Sequence, residues 1–314
     1  MGKVLKFLLA AALCAAGIFL GREFLSGSDV EIPVISDLMD SIHIDSENFK
    51  IDIGLEPFYT IEDDTALFTE NGTVVEDQAI SAGYSGESFQ SVELKTSQVN
   101  LTVGMSSENT LYVESEKVQR YQAYVEDQVL YIIIEGTLSA SSAVEGDGIM
   151  PSVQLLLPSD FAQNGGAFGL EVLASNVTVE ALQTDATKLR VSAGVVELDS
   201  LVSRELAVTM SAGSVTGQNM NITESSDLEM SAGSMSLAGN LSGTITAQVT
   251  AGDMALKLEQ PFEAYDCQIV CAAGKVTVAG ESYSGLTAAE TISHGSASLL
   301  DIYCSVGVIN VEFE

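Results

Sequence analysis

The sequence predicts an all-β protein: a single-stranded β-solenoid, β-helix-like, of about seven coils of 19 to 22 residues, preceded by an N-terminal transmembrane or signal helix. Three observations predict it. A ten-residue unit recurs through the C-terminal half, which is the signature of stacked repeats. Apolar and polar residues alternate on both sides of a small-residue corner in each unit, the period of a strand. The composition leans to Val, Ser, Thr, Ala and Gly with no Trp and only 5 Pro, which suits short strands joined by tight turns.

The units are Leu189–Leu198, Val208–Gly217, Leu228–Leu237, Ala247–Leu256, Ile269–Val278 and the weaker Glu290–Leu299, with a degenerate first copy at Leu170–Val179. Their corners fall at Ser175, Gly194, Gly213, Gly233, Gly252, Gly274 and Gly295, spaced by 19, 19, 20, 19, 22 and 21 residues. First, third, eighth and tenth places are mainly apolar. One unit therefore has a single apolar face and buries it only by stacking on its neighbours. At roughly 4.8 Å per coil, seven coils make a rod about 34 Å long. Gly at the corner tolerates φ > 0, and Ala and Ser keep stacked corners small. Ser192, Ser211, Ser231, Thr250 and Ser293 read as corner ladders rather than nucleophiles.

Three regions follow along the chain. Residues 1–25 are a membrane anchor or signal segment: Lys3 precedes an apolar run from Val4 to Leu20 that is broken only by Lys6, about 25 Å as a helix. The positive-inside bias sends the remainder outside. Ala10–Ala12 and Ala15–Gly17 also suit signal-peptidase cleavage, so secretion after cleavage is the alternative to an uncleaved anchor. Cys14 lies in this run, where a lipoprotein signal is disfavoured by Leu13 before it. Residues 26–90 read as an acidic stalk with a short helix near Ile35–Ile42 and a hairpin turning at Asn71-Gly72. Residues 91–314 form the repeat domain, regular over 170–299, with 302–313 as closing strands over its open end. Before the repeats, Leu111–Glu114, Tyr121–Val125, Val129–Ile134 and Val153–Leu157 are short β-rich runs.

Charge excludes one class of partner. Twelve Lys plus Arg against 44 Asp plus Glu give a formal net charge of -32, which repels nucleic-acid phosphates and anionic headgroups. Only two histidines occur, His43 and His294, without paired metal spacing, and no P-loop or dinucleotide fingerprint is present. Glu145–Gly148 lacks the ligand pattern of a calcium loop. The outward second positions of the units are Arg190, Thr209, Glu229, Gln248, Val270 and Thr291, and the ninth are Glu197, Thr216, Ser236, Ala255, Thr277 and Ser298. Neither set gathers the two carboxylates that glycoside cleavage requires. The expectation is no catalytic residue, no cofactor and no metal.

An extracytoplasmic chain meets oxidising conditions. Cys267 and Cys271 in one strand stand about 13 Å apart, too far for a bridge. A disulfide would join one of them to Cys304, with Cys271 and Cys304 the preferred pair and buried free thiols the alternative.

The Ser-Ala-Gly units at 192–194, 211–213 and 231–233, Thr250-Ala-Gly252, Ser305-Val-Gly307, the strand Gln128–Ile134 and the segment Val153–Pro158 together resemble the DUF4097 family. Its members are bacterial β-strand-repeat proteins behind an N-terminal membrane segment, provisionally named adhesins. The resemblance covers roughly residues 90–314 and supplies a fold without catalytic residues. It implies a membrane-tethered, adhesin-like binding or scaffolding module outside the cell, meeting an envelope protein or glycan. An envelope-sensing module acting through a membrane partner is the alternative.

Overall fold

Alternation with a period of two sends every second side chain to one face of a strand. In the computed structural model that face is a continuous apolar core in the repeat-bearing unit, and among the described residues the all-β class holds. The structure describes residues 42–45, 50–53, 73–85, 88–136, 150–161, 165–284 and 288–314. The chain divides into two units, Met1–Ala66 and Leu67–Glu314. In the first, β1 (Ile42–Asp45) and β2 (Lys50–Ile53) pair antiparallel, with His43 opposite Asp52. The apolar N-terminal run, Cys14, the Asn71-Gly72 turn and the 145–148 loop lie outside the described residues. So does the expected helix, except that its last residue, Ile42, opens β1.

The second unit begins with β3 (Val74–Ser85), β4 (Ser91–Ser97), β5 (Asn100–Met105), β6 (Thr110–Glu126), β7 (Val129–Glu135), β8 (Ser152–Leu157) and β9 (Ala167–Val179). Six of these close a ring of pairing: β9 to β4, β4 to β7, β7 to β6, β6 to β8, β8 to β5, and β5 back to β9. A single-stranded pile of coils running uniformly through 91–314 has no such ring. The 17-residue β6 makes the difference, because it runs antiparallel to β7, to β8 and to the edge strand β3. It also joins two runs that the sequence presents as separate strands, Leu111–Glu114 and Tyr121–Val125.

From β9 onward the repeats pair in parallel. The strands are β10 (Leu182–Gln183), β11 (Ala186–Leu198), β12 (Leu201–Met210), β13 (Ser214–Met230), β14 (Ser234–Leu241), β15 (Thr244–Val249) and β16 (Asp253–Leu258). Register carries one repeat onto the next, so Leu170, Leu189, Val208, Leu228 and Ala247 form one inward column. Val177, Val196, Val215, Met235 and Met254 form another across the corner. All ten are buried. At about 25 cal/mol per Å² of apolar area, each such Leu or Val contributes about 1.5 to 3 kcal/mol.

The last strands are β17 (Tyr265–Cys271), β18 (Lys275–Val278), β19 (Glu281–Ser284), β20 (Ala288–Ile292), β21 (Ser298–Cys304) and β22 (Val308–Phe313). A short 3-10 turn, Phe262–Ala264, precedes β17. These strands do not stack in chain order. The C-terminal pair β21 and β22 lies between β15/β16 on one side and β17/β18 on the other, with Ile302 opposite both Ala247 and Ile269. The amides of Ser305 and Val308 donate to Val249 and Gly252, and those of Ala272 and Lys275 donate to Cys304 and Gly307, at 2.8 to 3.0 Å. The expected closing pair over the open end is therefore an inner rung. The antiparallel strands β19 and β20, flanking β18 and β17, occupy that end instead. Residues 290–299 are not a repeat coil.

Candidate functional site

The corner column is the most regular feature of the structure. Gly194 pairs with Ser175, and a Cβ on Gly194, Gly213, Gly233 or Gly252 would overlap the carbonyl oxygen of the preceding corner. Gly213 and Gly233 also hold φ of 117° and 109°, which L side chains rarely adopt. The Gly213 carbonyl accepts from the Ser234 amide at 3.1 Å, and the Gly233 carbonyl from Asp253 at 3.1 Å. Side chains at the corner would separate the rungs and break those bonds. After Gly252 the column continues to Gly307 and then Gly274. Gly295 stands outside it, where an added Cβ would have nothing within 4 Å. Thus Gly307 takes the corner that sequence spacing assigns to Gly274, and Gly274 takes the one assigned to Gly295.

The same change of order redraws the outer face. The outward column beside the corner runs Arg190, Thr209, Glu229, Gln248, Tyr303 and Val270. Tyr303 and Val270 are 40% and 43% exposed, large side chains at the end of a polar row. The column across the corner runs Glu197, Thr216, Ser236, Ala255, Asn310 and Thr277. Thr291 and Ser298 belong to neither: Thr291 sits on β20 opposite Gln268, and Ser298 begins β21 opposite Tyr265. Sequence spacing missed Tyr303 and Asn310. The signal available was Ser305-Val306-Gly307, a corner triplet one residue type away from the others.

Polar ladders run between rungs. Ser234 Oγ donates to Ser214 Oγ at 3.1 Å, and the Asn240 amide donates to Asn221 at 2.9 Å. Across three rungs, Arg204 donates through Nε and Nη2 to Glu224 at 2.8 Å and through Nη1 to Asp185 at 2.9 Å. The paired guanidinium holds the Glu224 carboxyl below its ordinary range. An open groove of about 360 Å³ is lined by Thr216, Asn219, Ser236, Lys257, Glu259 and Glu314, with Lys257 and Glu314 3.0 Å apart.

His294 is not a corner residue. Its Nδ1 lies 2.7 Å from the Tyr265 carbonyl, and its ring meets Phe262 edge-on at 4.8 Å. Its amide donates to Asp266 at 2.7 Å, joined by the Ser296 amide at 3.2 Å and the Ser293 hydroxyl at 3.3 Å. These bonds, the His294 amide first, hold the Asp266 carboxyl below its usual value. Ser293 therefore ties a loop to β17 and is not part of the corner ladder.

Cys267, Cys271 and Cys304 are buried thiols. Cys271 and Cys304 are direct register partners on β17 and β21, whereas Cys267 faces Leu300 and Ile292. Burial pushes Cys267 and Cys304 up to about 11. Among the described residues, no group of three or more His, Cys, Asp or Glu side chains is placed to hold a metal ion. Also among them, no helix is long and apolar enough to cross a membrane.

No protein-family model and no curated protein matches the chain. Several solved structures resemble it. A protein from Clostridium sporogenes, provisionally named for cell adhesion, is 12% identical with a TM-score of 0.35, over 76% of this chain and 100% of its own. One from Bacteroides fragilis, provisionally named an adhesin, is 15% identical with a TM-score of 0.37, over 74% and 97%. A third, from Parabacteroides distasonis and provisionally named for lipid binding, is 10% identical with a TM-score of 0.26, over 76% and 98%.

Proposed function

We propose that this chain is a non-catalytic binding or scaffolding module, held outside a bacterial membrane by its N-terminal apolar segment. In this reading its stacked repeats constitute a solenoid of the DUF4097 type, which meets an envelope protein or glycan along the outer face. The observation that carries the reading is the in-register outer column from Arg190 to Val270. Successive rungs present polar groups at about 4.8 Å intervals on a backbone fully engaged in ladder bonds. Such a face is rigid before contact, so binding costs little ordering entropy. Tyr303 supplies an amphipathic ring that covers apolar area while its hydroxyl, donating to Asp301 at 3.2 Å, stays wet. The lysines at the N-terminal end of the apolar run favour an outward repeat domain, and the charge of -32 disfavours nucleic acid.

The test is retention of the full chain, in mild detergent, on solubilised envelope proteins and on isolated cell-wall glycan. One of the two should retain the chain, and Tyr303→Ala should weaken retention by about 5- to 30-fold, the loss of one aromatic contact. Equal retention of Tyr303→Ala and wild type would exclude this face. Capture of a membrane regulator through the N-terminal segment alone would favour envelope sensing instead.

A further inference from the structure

The rung formed last in the chain is not last in the stack. Residues 298–313 have neighbours on both sides, and the chain reaches them only after laying down the rung beyond, residues 265–278. An inner rung inserted this way depends on two lateral seams rather than on chain continuity. One of those seams carries two cysteines. Cys271 on β17 and Cys304 on β21 are register partners, both buried on the inward face, 0% and 3% exposed. Adjacent strands lie about 4.8 Å apart, within the roughly 4.4 to 6.8 Å between Cα atoms that a disulfide spans. Cys267, four residues along the same strand from Cys271, is opposite Leu300 and has no thiol beside it.

We propose that Cys271 and Cys304 form a disulfide clasp that locks the intercalated C-terminal rung into the stack. The reaction is exchange with a low-molecular-weight disulfide such as oxidised glutathione. Cys271 and Cys304 lose two protons and two electrons, one S–S bond forms between them, and the S–S bond of the oxidant breaks to give two glutathione thiols. Exchange requires a thiolate, and burial pushes the Cys304 thiol up to about 11. The closed stack is therefore a poor substrate. The clasp forms as the rung enters, and once closed it is shielded from reductant by the same burial. It ties together residues 33 apart in the chain (304 − 271), so β18, β19 and β20 lie within the closed loop.

The full chain is refolded in glutathione buffers of graded redox poise, digested without reduction and mapped by mass spectrometry. The expected product is an intramolecular Cys271–Cys304 linked peptide. Oxidation should raise Tm by roughly 5 °C over the reduced form. In Cys271→Ala and in Cys304→Ala, oxidised and reduced samples should melt together. Mapping needs no variant, so a substitution that fails to fold leaves the test intact. A folded chain that keeps both thiols at every poise, or that links Cys267 instead, overturns the clasp. The chemistry is independent of the binding reading: a missing cross-link leaves the Tyr303 face standing, and loss of envelope retention leaves the clasp standing.

Discussion

A single methyl group decides whether two rungs of this structure can touch. At Gly213 the added Cβ would meet the backbone of Gly194, which cannot move without breaking the ladder, and φ of 117° is strained for any L side chain. Gly213→Ala is expected to cost about 3 kcal/mol, readable as a lowered urea midpoint at unchanged slope. Asp266 gives a second prediction at this scale. Its carboxyl is depressed in the folded protein, so its contribution is present above the unfolded value near 3.9 and is lost as pH falls through the lower folded value. Protection of the His294 and Ser296 amides against hydrogen exchange, measured against the intrinsic rate at each pH, should fall at acid pH, and Asp266→Asn should show lower protection already at neutrality. Unchanged protection in the variant would remove Asp266 as the anchor of that loop. The central corners were readable from sequence because both their cause and their evidence are local: small residues, flanked by alternation, at a steady period. Asp266 was not readable, since the amides it binds lie 28 and 30 residues away.

At the scale of elements, the order of stacking is what the sequence conceals. Any rung with alternating apolar residues fits against any other, so composition does not say that residues 298–313 enter between 244–258 and 265–278. One trace is present. Corner spacing rises from 19 or 20 to 22 between Gly252 and Gly274, where the chain must climb past an extra rung, about 4.8 Å. Read as mere irregularity, that spacing leads to Gly295 as the next corner and to Thr291 as the next outward residue. Read as a step of two rungs, it points to Gly307 and Tyr303. The two assignments separate by mutation. In Gly307→Ala the new Cβ overlaps the Gly252 backbone and the Val249 side chain, and a loss of about 3 kcal/mol is expected. Gly295 has open space and φ of 73°, so Gly295→Ala carries only the left-handed backbone cost of about 1 kcal/mol. Reversal of that ranking in denaturant melts would restore the chain-order stack.

For the whole molecule, the stack that makes a regular face also concentrates charge. Of the 44 acidic and 12 basic residues, 32 acidic (44 − 12) and 8 basic (12 − 4) fall in residues 67–314, whose rungs repeat at about 4.8 Å, so like charges on neighbouring rungs fall well within a Debye length. The pairs that relieve this among the described residues, such as Lys117 with Asp77, Arg204 with Asp185 and Glu224, and Lys257 with Glu314, are too few to balance the surplus. Screening the repulsion should outweigh screening those pairs, each worth at most about 1 kcal/mol. Raising ionic strength from 0.01 to 0.15 M shortens the Debye length from about 30 to about 8 Å and should raise Tm. The same rise with sodium and with calcium at matched ionic strength would mean diffuse screening. A Tm that falls with salt would mean that the ion pairs, rather than the surplus carboxylates, dominate the surface.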